Sequence, residues 1–222
     1  PLNVSRSYLQ SDASVKKITN YITRKVADKL NSIFKNEREN LESKWNDIKV
    51  VIEYGMLTED KFYDKAESFN LYPTVDDKYF TYEELEKKIK KLQTDKDGNL
   101  IILYAQNKDE QYTYIESAKE KGYEVLLLDS PIIPHLMQKL ESKKEKIKFS
   151  RVDSDTLENL IKKDEEVISK LTDEEKEKLK PMIETAVENE KYTVQLEALD
   201  SNSMPFMLAQ PEFMRRMKEM QQ

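Results

Sequence analysis

Cysteine is absent from these 222 residues, glycine occurs three times, and histidine and tryptophan once each. The first absence excludes disulfides and every thiolate-held zinc, haem or iron–sulfur site, and is compatible with a reducing compartment. A single histidine, His135, cannot build a paired-histidine metal site. The glycines Gly55, Gly98 and Gly122 are too far apart to form a P-loop or a GxGxxG loop, so no nucleotide is cradled by glycine in this chain. Long apolar runs are missing as well. None approaches the roughly 20 residues that span a bilayer, and no signal peptide opens the sequence. Nor is there an excess of positive charge. With 37 basic and 43 acidic residues the chain carries a formal charge of -6, which argues against a sequence-independent grip on nucleic acid and against anionic membranes. The expectation is a soluble protein with neither nucleic acid nor membrane as partner.

What the sequence does contain is periodicity. Val15, Ile18, Ile22, Val26, Leu30 and Ile33 form one helical stripe, and Leu41, Trp45, Ile48 and Ile52 a second that is expected to stop at Gly55. A short helix should follow Thr58-Glu59-Asp60 with Phe62, Ala66 and Phe69 inward. Thr81-Tyr82-Glu83-Glu84 has the spacing of a capping box, opening a helix that buries Leu85, Ile89 and Leu92. Beyond the Asp97-Gly98 turn the period changes. Residues 100–105, 123–128 and 147–152 are short, mostly apolar runs alternating with helical stretches at 110–121 and 132–141, the pattern of a βαβαβ layer covered on both faces. Residues 139–180 carry basic and acidic residues in equal number, as a solvated helix face would, with Leu157, Leu160, Ile161, Val167, Ile168 and Leu171 on the apolar side. Thr172 should cap a helix with Leu179, Ile183 and Val187 inward, followed by strands at 191–196 and 205–209 and a helix after Pro211. The expected class is α/β, α+β overall: a helical bundle segment, a small three-stranded parallel αβα layer, and a truncated α+β end. A start without methionine and an apolar helix face still running at Gln222 are expected of an excised piece.

Few residues stand out as chemistry. Asp95-Lys96-Asp97-Gly98 begins like a calcium loop but lacks the later glycine and glutamate, which favours a turn. Asp129 and Ser130 end the second strand, where open parallel sheets bind ligands. His135 has no carboxylate nearby in sequence and reads as a surface residue rather than a general base. Five of the eight methionines, Met204, Met207, Met214, Met217 and Met220, crowd the end with Phe206, Leu208 and Phe213. Flexible, polarisable thioethers suit a surface that repacks around varied apolar partners. Spacing favours core for Phe206 and Leu208, and leaves Phe213, Met214, Met217 and Met220 open between core and binding face. Arg6, in an irregular segment with Gln10 four residues later, could reach a phosphate as a forked, permanently charged donor, or simply be solvated.

Leu2-Asn3-Val4-Ser5-Arg6-Ser7-Tyr8-Leu9-Gln10 resembles the catalytic loop in the middle domain of the heat-shock protein 90 chaperones, with Ser7 where that family usually has glutamate. The likeness continues through Arg24-Lys25-Val26, the block from Gly122 to Leu128, and Arg215-Arg216-Met217, and covers essentially the whole chain. The resemblance is strongest to the bacterial form. It implies that residues 1–95 are the distal part of a middle domain, 96–153 its small αβα subdomain, and 154–222 a truncated carboxyl-terminal domain. It implies a cytoplasmic, ATP-dependent chaperone of unfolded and partly folded client proteins. Arg6 would reach the γ-phosphate of ATP, bound with Mg mainly by a separate amino-terminal domain, and Gln10 would assist it. Client contacts are expected at Met207, Phe213, Met214, Met217 and Met220. Pro134, His135 and Leu136 align with a stretch near the client surface where some bacterial members have an acidic residue and tryptophan, which this chain lacks. The full-length protein would be a homodimeric ATPase, while this piece alone would be mainly monomeric and would not hydrolyse ATP. Two other readings remain open: an α/β enzyme domain holding a small ligand at Asp129-Ser130, and a passive helical scaffold.

Overall fold

The computed structural model describes residues 13–163, 169–187, 192–198 and 205–221. Among the described residues the first helix, α1, spans Ala13–Asn36, and α2 (Arg38–Ser43), α3 (Trp45–Thr58) and α4 (Asp60–Ala66) follow with hardly a linker between them. The expected second stripe is therefore two helices, broken at Lys44. Gly55 does not end α3 but lies inside it, where a Cβ would stand 2.9 Å from Phe62 Cδ1 and Cε1. Its missing side chain lets α4 close against α3. Trp45, Met56, Phe62, Ala66 and Phe69 enter the core formed there.

A hairpin of β1 (Tyr72–Pro73) and β2 (Tyr79–Phe80) leads into α5 (Tyr82–Ile89). Thr81 caps α5 through a complete capping box: its hydroxyl accepts from the Glu84 N–H at 3.3 Å, and Glu84 accepts from the Thr81 N–H at 2.8 Å. Glu84 also accepts from the two terminal guanidinium nitrogens of Arg38, at 2.5 and 2.9 Å, and Arg38 donates to Tyr79 O at 2.9 Å. One carboxylate thus starts a helix and fastens it to α2. Leu85 and Ile89 are buried as expected, whereas Leu92 lies past the helix and is exposed.

The parallel layer forms with β3 (Leu100–Ala105) between β4 (Val125–Leu127) and β5 (Ile147–Arg151). Every β3 side chain is buried. Leu100, Ile102 and Tyr104 join the large core shared with the helical segment, while Ile101, Leu103 and Ala105 join a second core. The strand period of two divides its residues between the faces. The helix α7 (Ile133–Lys143) covers the first face; α6 (Tyr112–Glu120) and α8 (Leu157–Leu160) cover the second. Gly122 ends α6 at φ +76, with its N–H on Lys119 O and the Tyr123 N–H on Ala118 O, a Schellman closure that needs a left-handed residue.

Three expectations about faces and strands are corrected. In α1 only the carboxyl-terminal half meets the core, through Ala27, Leu30, Ile33 and Phe34; Ile18, Ile22 and Val26 are exposed. In α9 (Asp173–Ala186) the Thr172 cap forms, yet no residue is buried, and Leu179 and Val187 are partly exposed. Periodicity identifies an apolar face but not what covers it. No strand occurs at 192–198 or 205–210 among the described residues, and Phe206 and Leu208 are exposed rather than core. Val167 and Ile168 lie outside the described residues, while Leu171 is exposed.

Candidate functional site

The helix α10 (Glu212–Met220) starts after Pro211 as expected, and of the two readings left open for Phe213, Met214 and Met217 it takes the exposed one, with the sidedness of an ordinary surface helix inverted. At 100° per residue, Glu212, Arg215, Arg216 and Glu219 share one face, and Phe213, Met214, Met217 and Met220 the other. The charged face is the one turned inward. Arg215 is only 3% exposed, whereas Phe213, Met214 and Met217 are 73%, 63% and 42% exposed. Met220 and, upstream, Met207 are half-buried. Phe206 and Leu208 add exposed apolar surface just before the helix, where the Tyr114 hydroxyl donates to Leu208 O at 3.0 Å.

The inward charges meet the carboxyl end of the parallel layer. The chain leaves β3 for β4 on one side, then crosses back for β5 on the other, so β3 and β5 flank the switch point at which open α/β sheets accept ligands. Glu212 fills that position. Its Oε1 accepts from the Tyr104 hydroxyl at 2.8 Å and its Oε2 from the Arg151 N–H at 3.0 Å. Arg215 and Arg216 each donate to Glu212 Oε1 at 2.6 Å. Arg215 also bonds the Tyr104 hydroxyl and Glu219, the latter at 2.6 Å. Arg216 reaches Glu141 of α7 at 2.8 and 3.2 Å and Phe149 O of β5 at 2.6 Å. Burial pushes the Glu212 carboxyl up, but Arg215, the Arg151 N–H and Arg216 outweigh it and hold it below the ordinary carboxylate value. The network is charged on both sides and buried where it counts.

A second cluster lies where α3 meets the loop after β4. Lys49 Nζ donates to Asp129 Oδ1 at 2.5 Å and to Asn46 Oδ1 at 3.2 Å. Glu53 is buried beside them, and burial pushes its carboxyl up to about 7, opposed by Ser130 and Lys49 and reinforced by Asp129. Glu53 Oε2 and Ser130 Oγ are buried without a well-formed hydrogen bond. Asp129 and Ser130, singled out from sequence as a strand end, are thus engaged by the chain's own α3. Their partners Lys49 and Glu53 gave no sequence signal, since the contact spans 80 residues for the Lys49 pair.

The remaining candidates are quickly placed. His135 is exposed on α7. Asp95 accepts from the backbone of Asp97 and Asn99, a turn around Gly98 at φ +81. No group of three or more histidine, aspartate or glutamate side chains suited to a metal occurs among the described residues. Arg6, Ser7 and Gln10 lie outside the described residues. Among those residues, no helix is long and apolar enough to cross a membrane.

A family model described as Hsp90 protein matches residues 1–221. The chaperone protein HtpG of Bacteroides thetaiotaomicron is 52% identical over 99% of this chain and 33% of that protein. HtpG of Porphyromonas gingivalis is 47% identical over 100% of this chain and 33% of its own length. The chain therefore spans about a third of the curated relatives it matches. Among solved structures, the middle domain of a Plasmodium falciparum heat shock protein aligns with a TM-score of 0.49 at 15% identity, over 64% of this chain and 58% of that one.

Proposed function

Since the chain belongs to the Hsp90 protein family, we propose that it is the stretch of an ATP-dependent chaperone that offers client proteins an apolar face and lends Arg6 to ATP held by a separate domain. The observation that carries the client half is the inverted helix α10. Exposed Phe213, Met214 and Met217 forgo the stabilisation of burial, about 25 cal/mol for each Å² left in water. A helix that buries its ions and exposes its thioethers is suited to meeting apolar segments of many shapes. Met207 and Met220 flank that face as further contacts. On this reading residues 1–95 and 96–153 are middle-domain segments and 154–222 a truncated carboxyl-terminal domain.

The ATPase half rests on the sequence motif from Leu2 to Gln10. ATP, with Mg, supplies the phosphoryl group for transfer to water, and its pocket is assigned to the separate amino-terminal domain. Arg6 would neutralise charge developing on the γ-phosphoryl oxygens and Gln10 would assist in positioning, a role that geometry and permanent charge suit an arginine to fill. The piece alone would not turn over ATP. Against the competing enzyme reading, Glu212 occupies the crevice between β3 and β5, and Lys49 pairs with Asp129. The full-length protein is proposed to be a cytoplasmic homodimer and this piece a monomer; a stable symmetric dimer of the piece in sedimentation would contradict the latter.

Steady-state hydrolysis by the full-length parent tests Arg6. Arg6→Ala should lower turnover on the order of 10²-fold with ATP affinity nearly unchanged. Unchanged turnover would remove Arg6 from the catalytic account.

A further inference from the structure

An ordinary surface helix turns its apolar side to the protein and its charges to water. Were α10 rolled half a turn about its axis, Phe213, Met214 and Met217 would face the layer, and burying them would be favourable. Something must hold the opposite orientation. The inward face supplies it: Glu212 bridges Tyr104 of β3 and the Arg151 N–H of β5, and Arg216 bridges Glu141 of α7 and Phe149 O of β5. Glu219 adds Gln106, just beyond β3, at 3.4 Å and Arg151 at 3.8 Å. These contacts join α10 to β3, β5 and α7, so together they fix both its rotation and its position along the crevice. Glu141 is itself held, accepting from the Phe149 N–H at 2.7 Å. Buried ion networks are poor sources of net stability compared with apolar contact, and their best-attested use is to select one arrangement over another.

We propose that the clasp of Glu212, Arg215 and Arg216 on Tyr104, Arg151 and Glu141 is a positioning device that holds the apolar face of α10 outward. Tyr104, Arg151 and Glu141 never touch the client; they act through the rotation of α10. This inference rests on the client-binding reading of that face, and its test separates the two.

The test uses the full-length parent, with reduced, carboxymethylated α-lactalbumin as a permanently unfolded probe. Glu141→Gln removes the charge that Arg216 meets on α7. Tyr104→Phe keeps the buried ring and removes only the hydroxyl. Both sit away from the exposed face, and far-ultraviolet circular dichroism checks that each variant is folded. Each should speed amide hydrogen exchange at 212–220 on the order of tenfold and weaken probe binding on the order of threefold to tenfold. Neither should weaken binding further once Met214 and Met217 are both replaced by serine, because the clasp acts only through that face. If exchange at 212–220 is unchanged in both clasp variants, the clasp does not hold the helix and the inference fails. If Met214→Ser with Met217→Ser weakens binding but the clasp variants do not, the client face stands and the positioning role alone is overturned. If the methionine variant leaves binding unchanged, the client reading fails and the positioning role falls with it.

Discussion

Single residues carry two consequences that no motif announces. Glu53 has a folded-state carboxyl raised by burial to about 7, against an ordinary value of 4.5, with Lys49 on its own helix, Asp129 and Ser130 from the loop after β4, and Tyr72 from β1 as its titratable and polar neighbours. A raised carboxyl means that the folded protein holds a proton which the unfolded chain has already released, so stability is fullest below pH 4.5 as far as this group is concerned. It declines as pH rises and levels off above about 7. The loss is at most about 3 kcal/mol. Glu53→Gln should therefore be nearly neutral in urea unfolding at pH 4 and stabilising at pH 8; equal effects at both would contradict the buried, proton-holding state. Gly55 is the second case. Alanine would gain about 1 kcal/mol in helix propensity but would press on the Phe62 ring, and overpacking costs about 1–3 kcal/mol. Gly55→Ala should lower the unfolding midpoint, and a raised midpoint would show that α4 moves aside freely.

Elements were legible where a local rule sets them and opaque where a neighbour does. The Thr81 and Thr172 caps, the Gly98 turn and the alternation of β3 between two cores all follow from residues within a few positions of one another. Thr81→Ala should cost about 1 kcal/mol by loss of the cap. Because Glu84 serves both Thr81 and Arg38, Thr81→Ala and Arg38→Ala should be non-additive in urea unfolding, and additive losses would mean that the two contacts are independent. The misread elements share a cause. Ile18, Ile22 and Val26 of α1, Leu179 of α9, and Phe206 and Leu208 ahead of α10 have the composition of buried residues, but burial requires a partner, and periodicity is blind to partners. In α10 the spacing of Glu212, Arg215, Arg216 and Glu219 is that of ordinary pairing within a helix, and nothing local to it shows that the same charges grip β3, β5 and α7.

At the scale of the molecule, the strand order β4-β3-β5 and the two cores build the layer, and the crevice between β3 and β5 at its carboxyl end holds α10. The fold class and the layer could be read from the change of hydrophobic period, and the family from short blocks such as that running from Gly122 to Leu128. The inversion of α10 could not, because it depends on contacts with Tyr104 and Glu141, which lie more than 70 residues away. The most direct measurement places a photoreactive benzoylphenylalanine at Phe213, and separately at exposed Gln138 on α7, in the full-length parent mixed with an unfolded client. Position 213 should give client crosslinks and position 138 few. Crosslinks absent from 213, or equal at both positions, would contradict it.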